Sequence, residues 1–199
     1  KNEFLNVQYA LCHDGIEGVE FITVNNQDYN KAEEGFQHRF GIHNDGGTAD
    51  AIATANGVPA TNVFTGTANA TATFRLNRDD ANYSGTPAVS FFVKGRKIRS
   101  ITKVGNVYSL GSYAYSNNPA LCLLDYMLNS DFGRGITTAE LDLASFYNAA
   151  QVCATTVTSG RQIAGHINGG AGTRDIPLYE CNLTLDTKDL IRDNIERIM

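Results

Sequence analysis

Apolar and polar positions alternate along much of the first hundred residues, the two-residue period of strands with one buried face. Phe4 to Leu11 carries this pattern, Val19 to Val24 carries a second run, and Phe36 to Ile42 a third. His13-Asp14-Gly15 is a turn signal and Asn25-Asn26 a break. From Asn44 to Gly66 the pattern dissolves into Gly, Ala, Thr and Asn around a lone Pro59, which predicts a loop excursion or a mobile hairpin. Alternation resumes from Ala70 to Leu76, and Asp79 to Pro87 is expected to be a loop. Ala88 to Val93 and Ile98 to Val104 are predicted strands around a turn at Lys94-Gly95-Arg96. The expected first half is therefore a small β-barrel or meander with an insertion around residues 25–86.

After Gly111 the period changes. Asn118-Pro119-Ala120 is a helix start, with Asn118 as N-cap and Pro119 at the first helical position, where its missing N–H costs nothing. Leu121, Leu124, Tyr126, Met127 and Leu128 make that helix mostly apolar, and Gly133 and Gly135 stop it or serve the next turn. Asp142 is the expected cap of a second helix, Leu143 to Cys153, with Leu143, Phe146, Tyr147, Ala150 and Cys153 on one face. Thr155 to Gly172 is predicted as a strand leading into a glycine-rich hairpin, and Pro177 to Leu185 as a long strand. Thr187 is the expected cap of a third helix with an apolar stripe of Leu190, Ile191, Ile195, Ile198 and Met199. The expected class is α+β, β-rich, with a β-rich part over 1–111 and an α+β part of about three helices over 112–199.

Composition narrows the functional classes. The 199 residues include 42% hydrophobic residues, ample for a core, so wholesale disorder is excluded. Only 19% are charged, and Asn, Thr, Ser and Gly fill the polar surface, which suits turns and protein-facing surfaces. A net charge of -5 argues against stable nucleic-acid binding. The basic cluster from Lys94 to Lys103 is interleaved with Gly95, Ile98 and Ile101 and fits a guarded strand edge. No apolar run approaches membrane-span length, and the opening residues do not have the form of a signal peptide. Lys1 at the start and an amphipathic helix ending at Met199 give the expectation of a segment cut from a longer chain.

Cys12, Cys122, Cys153 and Cys181 lack C-x-x-C spacing and sit in apolar contexts, so buried thiols acting as small hydrophobes are expected. Four cysteines permit three pairings, and nothing in the sequence demands one. Cys12-His13 is adjacent in sequence, which does not place nucleophile and base face to face. His38 and His43, with Asp45 and Asp50, offer metal-ligating types, but a five-residue spacing matches no repeat that points both histidines the same way. His166 stands alone within Gly165 to Gly172, a glycine-dense stretch without the Lys-Ser/Thr of a phosphate loop. Asp79-Asp80, Glu33-Glu34 and Asp14/Glu17 are carboxylate pairs in loop-like, solvated contexts. Asn69, Asn82 and Asn182 begin Asn-x-Ser/Thr triplets, a common pattern without meaning in a bacterial or cytosolic setting. These motifs identify no catalytic residue, no cofactor-binding residue and no metal ligand.

Several segments nevertheless resemble one family when taken in order. Leu5 to Glu20 (LNVQYALCHDGIEGVE) is similar to the start of a domain in long-tailed phage tail-tip or baseplate-hub proteins, relatives of the lambda-type tip attachment or host-specificity protein. Pro87 to Lys97 (PAVSFFVKGRK) resembles a strand pair of that family. The strongest match is Tyr115 to Leu128 (YSNNPALCLLDYML) followed by Phe132-Gly133-Arg134-Gly135-Ile136. Leu141 to Phe146, with Ala149, Ala150 and Cys153, follows in the family's order, and Tyr179 to Asn182, Asp186-Thr187 and Asp193 to Glu196 resemble its close. Residues 25–86 match poorly, and the family's members are far longer.

The resemblance implies a non-enzymatic structural protein of the virion tail, assembled in the bacterial host cytoplasm. It implies a homotrimeric hub that joins the tail tube and distal tail proteins to tip or fibre proteins and takes part in host attachment and DNA delivery. A receptor- or glycan-binding tail module, using Tyr83, Tyr113 and Tyr115, is the alternative, and a tail-associated peptidoglycan hydrolase is a third reading.

Overall fold

The computed structural model describes residues 4–29, 38–45, 47, 49–76, 85–159 and 174–199. It is a β-rich α+β fold that divides into two compact units, Lys1–Lys97 and Ile98–Met199.

In the first unit, β1 (Phe4–His13), β4 (His38–His43) and β5 (Thr67–Arg75) form an antiparallel sheet in the order β1-β5-β4. Register places Leu5 and His38 beside Phe74, Val7 and Phe40 beside Ala72, and Tyr9 and Ile42 beside Ala70. One face of the sheet is therefore built from these rows. The alternating Ala68, Ala70, Ala72 and Phe74 lose all solvent exposure there. A second sheet covers that face. β2 (Ile16–Val24) is flanked by the short β3 (Gln27–Asp28) and by β6 (Val89–Val104), and Val24 and Val89 join the Phe74 cluster. Phe91 meets Tyr9 and Phe40 edge-on, at ring separations of 5.2 and 6.1 Å. The chain passes from one sheet to the other at Asp14, whose left-handed φ of 62° ends the pairing of β1 and starts β2 in a different ladder. The sheets stay open, and among the described residues no barrel closes.

Two sequence expectations fail here for identifiable reasons. The stretch from Asn44 to Gly66 is not wholly loop: Asp50 caps α1 (Ala51–Ala55) by accepting the Ala53 amide at 2.8 Å. This helix lies over Gly41, where a side chain would press on Asp50 and Ile52. Likewise Lys94-Gly95-Arg96 is no turn. β6 runs through it unbroken because its backbone stays paired with β2, and each charge finds a partner: Glu20 of β2 faces Lys94 at 3.0 Å, Glu17 of β2 faces Lys97 at 3.4 Å, and Asp14, just before β2, faces Arg96 at 2.8 Å. The reversal comes later, at Gly105 with φ 60°, and leads into β7 (Val107–Tyr115).

The second unit contains the end of β6, β7 and the helices α2 (Pro119–Leu128), α3 (Leu143–Cys153) and α4 (Ile191–Ile198). Asn118 caps α2 as the sequence predicts, accepting the Ala120 and Leu121 amides. Its side-chain amide also donates to the Ala150 carbonyl of α3 at 2.8 Å, so one residue starts one helix and ties it to the next. Asp142 caps α3 in the same way, and the five residues predicted for its inner face are buried or half-buried. Leu124, Tyr126, Ala150, Asn194 and Ile198 lie at the centre of the packing.

Two further expectations need correction. Pro177 to Leu185 does not form a long strand. β8 (Thr156–Ser159) pairs only with β9 (Arg174–Pro177), and the following residues hang on scattered carbonyls of Thr155, Cys153 and Asn117 that form no ladder. Thr187 caps nothing. The Asp186 carboxylate takes the Lys188 amide and its carbonyl takes the Asp189 amide, which holds 186–189 in a turn and delays the helix to Ile191. Of the predicted α4 stripe only Ile198 is buried and Ile195 half-buried, while Leu190, Ile191 and Met199 are exposed. The hairpin expected at Gly165–Gly172 and most of the loop at Asp79–Pro87 lie outside the described residues. Among the described residues no helix is long and apolar enough to cross a membrane.

Candidate functional site

The structure brings some of the chemically interesting residues together and separates others. His38 and His43 sit on opposite faces of β4, as their spacing requires. His38 is buried on the core face, its ring 4.9 Å from Tyr29 and 6.1 Å from Phe40. His43 lies on the other face, where its Nε2 is 2.7 Å from Asp50 Oδ2. Asp45 does not join them; its carbonyl accepts the Gly66 amide, and its side chain lies near Gly15. Among the described residues no group of three His, Cys, Asp or Glu is placed to hold a metal ion.

The Asp50–His43 pair is tightly built. Burial alone would raise the Asp50 carboxyl, but the Ala53 amide and the His43 imidazole outweigh it and hold the group below the ordinary carboxylate value. A carboxyl with a lowered folded-state pKa adds stability that is fully present above its unfolded value, near 4, and is lost as pH falls through the folded value. We expect Asp50→Asn to lower stability at pH 7 by about 2 kcal/mol, since the charge-assisted bonds go while the cap acceptor remains. The variant also loses less additional stability than the parent between pH 4 and pH 2. Urea unfolding at pH 7 and pH 3 checks both; an equal acid loss in the two proteins contradicts this account.

The Cys12-His13 pair is not arranged for nucleophilic attack. The Cys12 thiol donates to the His13 carbonyl at 3.2 Å, while His13 Nδ1 lies 3.4 Å from Asp14. Burial pushes the Cys12 thiol up, with Arg96 opposing and Asp14 adding, so the unreactive thiol form dominates at neutral pH. Asp14 and Glu17 face different cations, Arg96 and Lys97, and do not face each other. Glu33-Glu34, Asp79-Asp80, Tyr83 and His166 lie outside the described residues. Of the tyrosines considered for sugar stacking, Tyr113 is exposed, and the Arg99 guanidinium sits 5.1 Å from its ring. Tyr115 is half-buried.

Three groupings were not anticipated from sequence. Arg96 on β6 reaches Asp14, at the step between β1 and β2, at 2.8 Å. Lys103 lies 5.3 and 5.7 Å from the rings of Tyr108 and Tyr147, which are themselves 5.4 Å apart. The third concerns two cysteines. All four thiols are free and half-buried, which corrects the expectation of fully buried ones, and burial, with Cys181 as a neighbour, pushes the Cys122 thiol up to about 12. Only contact in three dimensions reveals this pair, because nearly sixty residues separate the two positions.

Among the described residues several large apolar side chains are exposed. Phe92 stacks on Phe21 with ring centroids 3.8 Å apart yet stays 44% exposed. Val104 and Val107, flanking the β6–β7 reversal, are 78% and 68% exposed. Comparison with family models and with curated proteins finds no match to this chain.

Proposed function

We propose that this chain is a structural segment of a long-tailed phage (or prophage) tail tip, a baseplate-hub element that works by docking and performs no turnover. The observation that carries the reading is the ordered run of family-like segments, strongest at Tyr115–Leu128 and Phe132–Ile136. The residues of that run have folding jobs. Asn118 caps α2 and ties it to α3, Gly133 lies against the Tyr126 carbonyl, and Asp142 caps α3. Similarity at such positions marks a shared fold and needs no shared active site. Large apolar side chains left in solvent on β6 and β7 fit surfaces that an assembly covers.

In this reading the chain forms a homotrimer, contacts tail tube and distal tail proteins on one side and tip or fibre proteins on the other, and belongs to the virion tail. The net negative charge suits a conduit that passes DNA without holding it. Antibody raised against the segment is expected to label the tail tip of purified particles, and the purified segment is expected to give no cleared band on a peptidoglycan zymogram. Labelling of the capsid alone, or a cleared band that a catalytic-site inhibitor removes, contradicts the proposal.

A further inference from the structure

The C-terminal turn of α1 contains an Asn-Gly step, Asn56-Gly57, and both residues are exposed. Asparagine is a thermolabile residue, and a glycine after it offers the least hindered backbone nitrogen to its side-chain carbonyl. Gly57 takes the left-handed φ of 89° that ends the helix, and among the described residues nothing lies within 4 Å of where a Cβ would stand on it. Water and base therefore have access from that side. In the closed turn, however, both reacting groups are engaged. The Gly57 amide donates to the Thr54 carbonyl at 3.1 Å, and the Asn56 side-chain amide donates to the Ile52 carbonyl at 2.8 Å. The other end of α1 is fastened to the sheet by the buried Asp50, which caps the helix and lies 2.7 Å from His43 Nε2 on β4.

We propose that Asn56 is a deamidation site whose rate is set by the opening of α1. When the turn opens, the Gly57 amide nitrogen gives its proton to base and attacks Asn56 Cγ. The new N–C bond closes a cyclic imide, the Cγ–Nδ2 bond breaks, and the side-chain nitrogen leaves as ammonia. Water then adds to an imide carbonyl and reopens the ring. Addition at Cγ restores the ordinary backbone and leaves an aspartate, and addition at the main-chain carbonyl leaves an isoaspartate. The net change turns an amide and a water into a carboxylate and an ammonium ion, with no oxidant or reductant.

The product cannot rebuild the turn. A carboxylate has no proton to donate to the Ile52 carbonyl and sets a negative charge against it. An isoaspartate also lengthens the main chain at the residue that ends α1. The modification therefore loosens the helix that buries Ile52 and Ala53.

The test incubates the whole folded chain at pH 8, beside the same chain in guanidinium chloride, and follows each asparagine by peptide mass mapping. The expected product carries a hydroxyl in place of the amide NH2 at position 56, as a mixture of aspartate and isoaspartate peptides. It is expected to form roughly tenfold more slowly in the folded chain than in guanidinium, the lag that a local opening imposes. Asp50→Asn keeps a cap acceptor but loses the ionic hold on His43, and is expected to speed the folded-state reaction roughly tenfold while leaving the rate in guanidinium unchanged. His43→Gln is expected to act in the same direction and decides the point if Asp50→Asn does not fold. Asn168-Gly169, outside the described residues, is mapped on a separate peptide. Conversion of another described asparagine ahead of Asn56, equal rates in buffer and guanidinium, or a folded-state rate that neither variant moves overturns the proposal.

Discussion

Phe74→Ala is expected to remove about 4 kcal/mol of folding stability, a large part of what a domain of this size has. Phe74 is on the central strand of the β1-β5-β4 sheet and has no solvent exposure. Its ring packs edge-on to Phe40 at 5.8 Å and forms a buried cluster with Val24 and Ala72, against which Leu5, Val7, Tyr9, Leu76 and Val89 pack. The flanking Ala72 and Ala70 are small and also fully buried, so they cannot fill the space a lost ring would leave. Phe74→Leu keeps most of the volume and is expected to cost about 1–2 kcal/mol. Urea unfolding gives both values, and amide exchange should place the loss in β1, β4 and β5. A cost for Phe74→Ala no larger than for Phe74→Leu contradicts the core assigned here.

Gly133→Ala is the second large effect, and its cause is a clash where Phe74→Ala leaves a void. After α2 the chain folds back over the end of its own helix, held by the Arg134 amide on the Tyr126 carbonyl at 3.1 Å and the Ile136 amide on the Met127 carbonyl at 3.0 Å. A Cβ on Gly133 would overlap the Tyr126 carbonyl oxygen and stand 2.9 Å from that of Asn129. Both obstacles are backbone, so neither can swing aside. Displacing the chain sacrifices the two hydrogen bonds as well, for an expected total of about 4 kcal/mol. Gly135→Ala, at φ 68° but without a close contact, is expected to cost about 1 kcal/mol. Gly18→Ala, with nothing within 4 Å, should change little. Thermal unfolding of the three variants tests the ranking; a Gly133→Ala protein as stable as Gly18→Ala refutes the fold-back.

What the sequence disclosed and what it hid follow from range. Helix caps are local chemistry, so Asn118-Pro119 and Asp142 marked their helices to the residue. Strand alternation is local too, and β1, β2, β4 and β5 lie where the period placed them. Whether an alternating run becomes a strand depends on a partner. Pro177–Leu185 alternates but finds no continuous ladder, while Lys94-Gly95-Arg96 looks like a turn and is carried straight by its pairing with β2, with Glu20, Glu17 and the preceding Asp14 answering the charges. Thr187 had the right residue type for a cap and lost the position to the Asp186 turn. His43 and Asp50 both carry ligating groups in the sequence and meet in the fold, since seven residues is within reach of one loop. Cys122 and Cys181 become neighbours through the folding of a whole unit, which no spacing rule encodes.

We propose that this chain's exposed apolar side chains serve assembly in a tail tip. An image reconstruction of the intact tail tip tests it most directly, by counting copies of this fold around the tail axis. The account predicts three. Six copies, as in a tube or distal-tail ring, or no density for the chain at the tip, would contradict it.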